Sequence, residues 1–127
     1  MAQLPKHVHG PFLGDVLDND DIYPTEEFLD YLSRWWPSDS YGYDKFFKQL
    51  EDVWWHGESL ISSDEVLDEI FEEPNTAYYI STGGWSGNES IIGAMGQNWF
   101  LWSQVWYSSK RGGHYEFRIK KEKVRSV

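Results

Sequence analysis

Residues 77–89, Ala77-Tyr78-Tyr79-Ile80-Ser81-Thr82-Gly83-Gly84-Trp85-Ser86-Gly87-Asn88-Glu89, mark the point where the chain changes character. Ala77 to Ser81 is short, aromatic and apolar, which suits a buried strand. Gly83 and Gly84 allow a sharp turn. Ser86, with Glu89 three residues on, reads as a capping box opening a short helix through Ile91, Ile92 and Met95 that ends near Gly96. A strand turning through glycines into a helix makes the chain a mixed fold, and the segments on either side fill it in.

Upstream the apolar spacing is helical. Thr25 can cap, Glu26 and Glu27 favour a helix N-terminus, and Phe28, Leu29, Leu32, Trp35 and Trp36 form a stripe stopped by Pro37. A second helix is expected from Tyr43 to Trp55, with Phe46, Phe47, Leu50, Val53 and Trp54 on one face and Gly57 as terminator. A third is expected from Ser62, boxed with Glu65, burying Val66, Leu67, Ile70 and Phe71 and ending before Pro74. Residues 1–24 lack periodicity and read as an irregular arm laid over the domain through Phe12, Leu13 and Ile22.

Downstream, Trp99 to Ser109 and His114 to Lys120 are strand-like. Gly112-Gly113 supplies the positive φ angles of a two-residue hairpin turn. That turn pairs Arg111 with His114 and Ser109 with Glu116. Alternation then puts Tyr115, Phe117 and Ile119 on the core face beside Phe100, Trp102 and Trp106, and leaves Arg111, His114, Glu116, Arg118 and Tyr107 on the other. The expected architecture is α+β: three N-terminal helices, then β-α-β-β, with a sheet of at least three strands ending in a hairpin. It forms a single domain over 1–127, with a helical part at 25–74, a β-α-β-β part at 75–120 and a basic tail at 121–127.

The chain has 127 residues, no cysteine and a net charge of −10. Disulfides, thiolate catalysis and cysteine zinc sites are excluded. Residues 1–75 hold 18 acidic against 4 basic side chains, and residues 76–127 hold 3 against 7. The two halves can therefore complement each other when packed, or steer a charged partner. The opening residues lack the basic flank and apolar core of a signal peptide, and no apolar run approaches the roughly 20 residues that span a bilayer. A cytoplasmic location without a membrane partner is expected.

A strand entering a helix through glycines can grip an anion, because free N–H groups converge there and the helix dipole favours negative charge. Ser81, Thr82, Gly83, Gly84, Trp85, Ser86, Asn88 and Glu89 are the candidate ligand-binding residues, joined by Arg111 and His114 if the hairpin neighbours the loop. The motif is neither a P-loop nor a dinucleotide fingerprint, since its glycines fall at 83, 84 and 87. A purely structural reading, with cap, turn and Trp85 packed over the hairpin, is preferred. His7-x-His9 and the Asp52/His56 pair lack a third metal ligand, so no metal or cofactor is expected. Glu89, Glu116 and His114 could do acid–base work only if they met in one cleft. No Gly-x-Ser-x-Gly elbow is present, so no catalytic residue is assigned.

The block ISTGGWSGNESIIGAM, an aromatic strand and SSKRGGHYEF resemble a module of small uncharacterised bacteriophage and bacterial proteins. The resemblance covers about residues 77–119 and singles out the residues from Ser81 to Glu89 together with Arg111, Gly112, Gly113, His114 and Tyr115. It implies a phage-type accessory protein, acting in the host cytoplasm, and carries no activity. Of eight tryptophans, the doublets Trp35-Trp36 and Trp54-Trp55 place one ring inward and leave its neighbour to anchor a partner. The leading expectation is a non-enzymatic module that binds a host or phage protein, with self-association open. A phosphate, nucleotide or carboxylate binder using the glycine loop comes second. A nucleic-acid binder using Arg118, Lys120, Lys121, Lys123 and Arg125 comes third, and the overall acidity argues against it.

Overall fold

A computed structural model describes residues 7–18, 23–70 and 72–120. It shows an α+β fold in which helices lie against one face of a four-stranded antiparallel sheet of order β1-β2-β4-β3.

Helix α1 (Glu26–Arg34) begins as its sequence requires. Thr25 is extended, and its hydroxyl accepts from the Phe28 N–H at 3.2 Å while donating to the Asp15 carbonyl at 2.6 Å. Such a cap is worth about 1 kcal/mol. The helix ends at an extended Trp35, since Trp36, preceding Pro37, is sterically barred from helical geometry. Helix α2 (Tyr43–Val53) buries Phe46, Phe47 and Leu50. Phe47 stacks on Tyr78 at 4.7 Å and reaches Phe117 at 5.4 Å, which joins the helical layer to the two central strands.

Gly57 does not end α2. It opens the single turn α3 (Gly57–Leu60), and the left-handed residue before it is His56, at φ +56°. Glycine is needed at 57 for closeness, because a Cβ there would strike the Glu51 carbonyl oxygen.

The expected third helix is a strand, which corrects the count of N-terminal helices. β1 (Ile61–Leu67) pairs with β2 (Pro74–Ser81) from Ile61↔Ile80 to Leu67↔Pro74. The Ser62/Glu65 box is a local signal worth little against a seven-pair ladder. The turn between them closes through Asp68, whose N–H donates to the Glu73 carbonyl and whose carboxylate accepts from the Ile70 N–H. Leu67 and Ile70, read as a buried stripe, are exposed; Phe71 lies outside the described residues. Pro74 opens β2, one of the few strand positions proline tolerates.

Helix α4 (Ser86–Gln97) is followed by a second correction. Trp99–Val105 is helix α5, not strand, and only β3 (Trp106–Lys110) is extended. Asn98 makes the difference: its side-chain oxygen accepts from the Leu101 N–H, and its amide donates to the carbonyls of Leu32 and Trp35 at 3.0 and 2.7 Å. One buried residue thus caps α5 and ties it to the end of α1.

β4 (His114–Lys120) returns antiparallel to both β3 and β2. Its turn has three residues, Arg111 to Gly113, because Lys110 pairs with His114. Ser109 therefore faces Tyr115 and Ser108 faces Glu116, and a bulge at Tyr107 lets Trp106 face Phe117. Gly112 and Gly113 carry the expected positive φ. Phe117 and Ile119 are buried against the helices, with Trp102 now reaching Phe117 from α5 at 5.4 Å. Phe100 instead stacks on Trp36, and Trp106, expected in the core, is 44% exposed.

The described arm is irregular and lies on the helical side. Val8 bridges Trp35, and Phe12 packs on Phe28 and Tyr31. Leu13 points to solvent rather than inward, while Ile22 and the tail 121–127 lie outside the described residues.

Candidate functional site

The glycine loop and the hairpin tip are neighbours. Ser81, the last residue of β2, pairs with His114, the first of β4, and their side chains meet at 2.7 Å between Ser81 Oγ and His114 Nδ1. The Thr82 N–H donates to the Gly113 carbonyl at 3.0 Å. A Cβ on Gly113 would collide with Thr82 Oγ1, so the approach requires glycine in a left-handed conformation.

Past that contact the candidate residues divide. Thr82 and Asn88 are buried, and Asn88 is a bracket inside the fold. Its oxygen accepts from the Trp55 N–H at 3.2 Å, and its amide donates to the carbonyls of Trp55 and Thr82 at 3.2 and 3.1 Å. Gly83 and Gly84 take φ of +64° and +76°. Trp85 is the N-cap of α4 and makes no side-chain cap, so Ser86 is the first helical residue and the expected Ser86/Glu89 box does not form. The Trp85 ring folds over Gly87 so closely that a Cβ there would overlap it. The start of α4, the alternative seat for an anion, is thus covered at Gly87 by an indole. Ser86 and Glu89 are exposed on the helix, and Arg111 is exposed at the hairpin tip without a partner among the described residues.

Ser81 and His114 instead open onto the face of the sheet turned away from the helices. Two same-face rows cross three strands there: Lys110–His114–Ser81, and next to it Ser108–Glu116–Tyr79. Between them lies a hollow of about 190 Å³, also bordered by Ile80 and Tyr115. Below it the Arg118 guanidinium binds Glu116 at 2.6 Å and lies 3.8 Å over the Tyr107 ring. Burial works to lower the Arg118 pKa, but the hydrogen bond and charge of Glu116 outweigh it, and the net shift is upward. Tyr79 and Tyr107 stay partly exposed beside this pair, while Ala77 and Asn75, further along the same face of β2, are buried.

Alternation along β4 already grouped His114, Glu116 and Arg118, and the expected hairpin pairing added Tyr107 from β3. Tyr79, Ser81 and Ser108 join them only through strand pairing, and Lys110 takes the place expected of Arg111 because the turn is one residue longer.

The tryptophan doublets split inward and outward. Trp35 and Trp54, offered as partner contacts, are instead core residues. Trp35 stacks on Phe46 at 4.3 Å, and Trp54 donates its indole N–H to the Ser81 carbonyl at 3.0 Å. Trp36 is half-buried between His7 and Phe100, and Trp55 lies against Trp85, 40% exposed. His9 Nδ1 is 3.0 Å from the Trp36 carbonyl oxygen, and His56 faces Glu58 rather than Asp52. Among the described residues no three His, Asp or Glu side chains gather as metal ligands, and no helix is long and apolar enough to cross a membrane. Comparison with family models, with curated proteins and with solved structures returned no match.

Proposed function

We propose that the chain is a non-catalytic module that engages a protein partner through the face of its sheet turned away from the helices, in an accessory role of the kind the phage-protein resemblance implies. The observation that carries this reading is the pair Tyr79 on β2 and Tyr107 on β3, 38% and 44% exposed, on either side of Arg118 on β4, whose guanidinium is largely buried between Glu116 and Tyr107. Tyrosine and arginine are the side chains that most often dominate binding energy at protein interfaces. Here they sit on strands rather than loops, and Glu116 with Tyr107 holds Arg118 in place, so little order remains to be imposed on binding. Catalysis has weaker support. The Ser81–His114 pair has no acid on its imidazole among the described residues, because Glu116 is committed to Arg118.

Capture from bacterial lysates, with and without phage infection, tests the reading. Wild-type protein is expected to retain a partner that a Tyr79→Ala/Tyr107→Ala variant releases at least about tenfold more readily, the equivalent of roughly 1.4 kcal/mol. Both tyrosines are partly exposed, so the variant keeps its fold. A partner held equally by both proteins would overturn the assignment to this face.

A further inference from the structure

Several features of the molecule fail as sites on inspection. The start of α4 is closed by Trp85. The cleft of about 300 Å³ between Trp36 and Trp99 has Arg34 in its wall, already paired with Asp30. The cleft of about 240 Å³ beside Trp55 and Trp85 is apolar and carries one acid, Asp52. The hollow on the sheet face differs from these in holding a cation, Lys110, that has no ion pair among the described residues.

We infer that this hollow is a seat for a small oxyanion, with phosphate its best fit. Its first row places Lys110, His114 and Ser81 on three consecutive strands, and all three line the hollow. Strands lie about 4.8 Å apart, so the row spans roughly 10 Å with His114 at its centre. Ser81 Oγ and His114 Nδ1 already meet at 2.7 Å, which leaves the other imidazole nitrogen and Lys110 to face an anion in the hollow they line. Ser108 adds a hydroxyl from the second row and Tyr79 a phenol. Among the described residues the one acid in the lining is Glu116, and Arg118 offsets its charge at 2.6 Å. Lys110 has no ion pair among the described residues, and Arg111 adds a second uncommitted cation at the adjoining tip. The end of the sheet face nearest the hairpin is therefore cationic in a chain whose net charge is −10.

The donor set explains the preference for phosphate. An arginine fork would grip a carboxylate or a phosphate alike, and the guanidinium here is turned onto Glu116, which leaves the compact point charge of Lys110 as the cation of the hollow. A lysine and separate hydroxyls act as point donors, which suit the spread oxygens of a tetrahedral anion. The volume leaves room for an ester group beyond the phosphate itself. The seat rests on the same face as the proposed partner surface and names the chemistry a partner would present there.

The test is a titration of isotopically labelled protein with inorganic phosphate, and separately with acetate, followed by backbone and imidazole resonances. Saturable shifts confined to Ser81, Ser108, Lys110 and His114 are expected with phosphate, and weaker ones with acetate. Lys110→Ala and His114→Gln should each weaken binding about tenfold or more, and both positions are exposed enough to leave the fold intact. Tighter binding of acetate keeps the seat and assigns it to a carboxylate. Shifts that do not saturate, that scatter over surface cations, or that survive Lys110→Ala overturn it. Tyr107→Ala separates the two proposals, since it should weaken partner capture and leave phosphate binding unchanged.

Discussion

The glycine loop and the sheet face beside it are built from the same kinds of residue and end in opposite states. In the loop, the polar groups of Thr82 and Asn88 are consumed by the fold: the Asn88 amide serves Trp55 and Thr82, and Trp85 shuts the helix start. On the face, Ser81, Ser108 and Lys110 point outward from strands whose backbone bonds are already satisfied by the ladder. Ser81 and Thr82 are adjacent in sequence and fall on different sides of this division. Residue type suggested a site in both places; solvent access separates them.

The sharpest way to break the comparison is Asn88→Ala. It strands buried backbone groups of Trp55 and Thr82, and an unsatisfied buried group costs about 1–3 kcal/mol. A loss of about 3 kcal/mol in chemical denaturation is expected, and a loss below about 0.5 would mean the loop is not the bracket described. Next comes Gly113→Ala, which combines a left-handed φ of +79° with a clash against Thr82. It should cost about 2 kcal/mol by the same measurement and loosen the junction between loop and hairpin. Lys110→Ala should change stability by less than about 0.5 kcal/mol, because an exposed side chain without a partner contributes little. A larger effect would make Lys110 structural and place it with the loop.

A smaller, pH-dependent effect belongs to the helical side. Burial, with the charge of Tyr41, raises the Tyr31 phenol, and burial with Asp44 and Glu51 raises that of Tyr78. The folded chain therefore keeps these phenols neutral at pH values where the unfolded chain ionises them, from their ordinary value of 10.0 upward. In that range the unfolded state holds fewer protons, so stability falls as pH rises and is fully present below it. Urea midpoints should be flat up to about pH 9 and decline from about pH 10. Tyr31→Phe should flatten part of the decline.

Much of the fold was legible because it is written in neighbours. Thr25 with two glutamates, the Phe28–Leu32 stripe, the β4 alternation and the positive-φ glycines all act within a few residues, and each element forms where they place it. The two misread segments failed for opposite reasons. β1 is an edge strand exposed from Ser62 to Glu65, with Val66 half-buried, so it lacks the alternation that marks a strand, and its serine–glutamate spacing imitates a cap. Trp99–Val105 carries strand-favouring aromatics, while its one decisive helix signal is the single residue Asn98. The candidate site was legible by halves: His114, Glu116 and Arg118 share a face by period alone, while Tyr79, Ser81 and Lys110 reach it by register.

The class of fold, the starts of α1 and α2 and the glycines that turn the chain are fixed locally, because short-range sterics and helix-end preferences settle these within one or two turns. Only the tertiary structure decided that residues 61–67 join the sheet, that Asn88 faces inward, and that Lys110, His114 and Ser81 form one row. The row depends on pairing β2 with β4, a strand more than thirty residues away, and a slip of one position would turn every side chain to the other face.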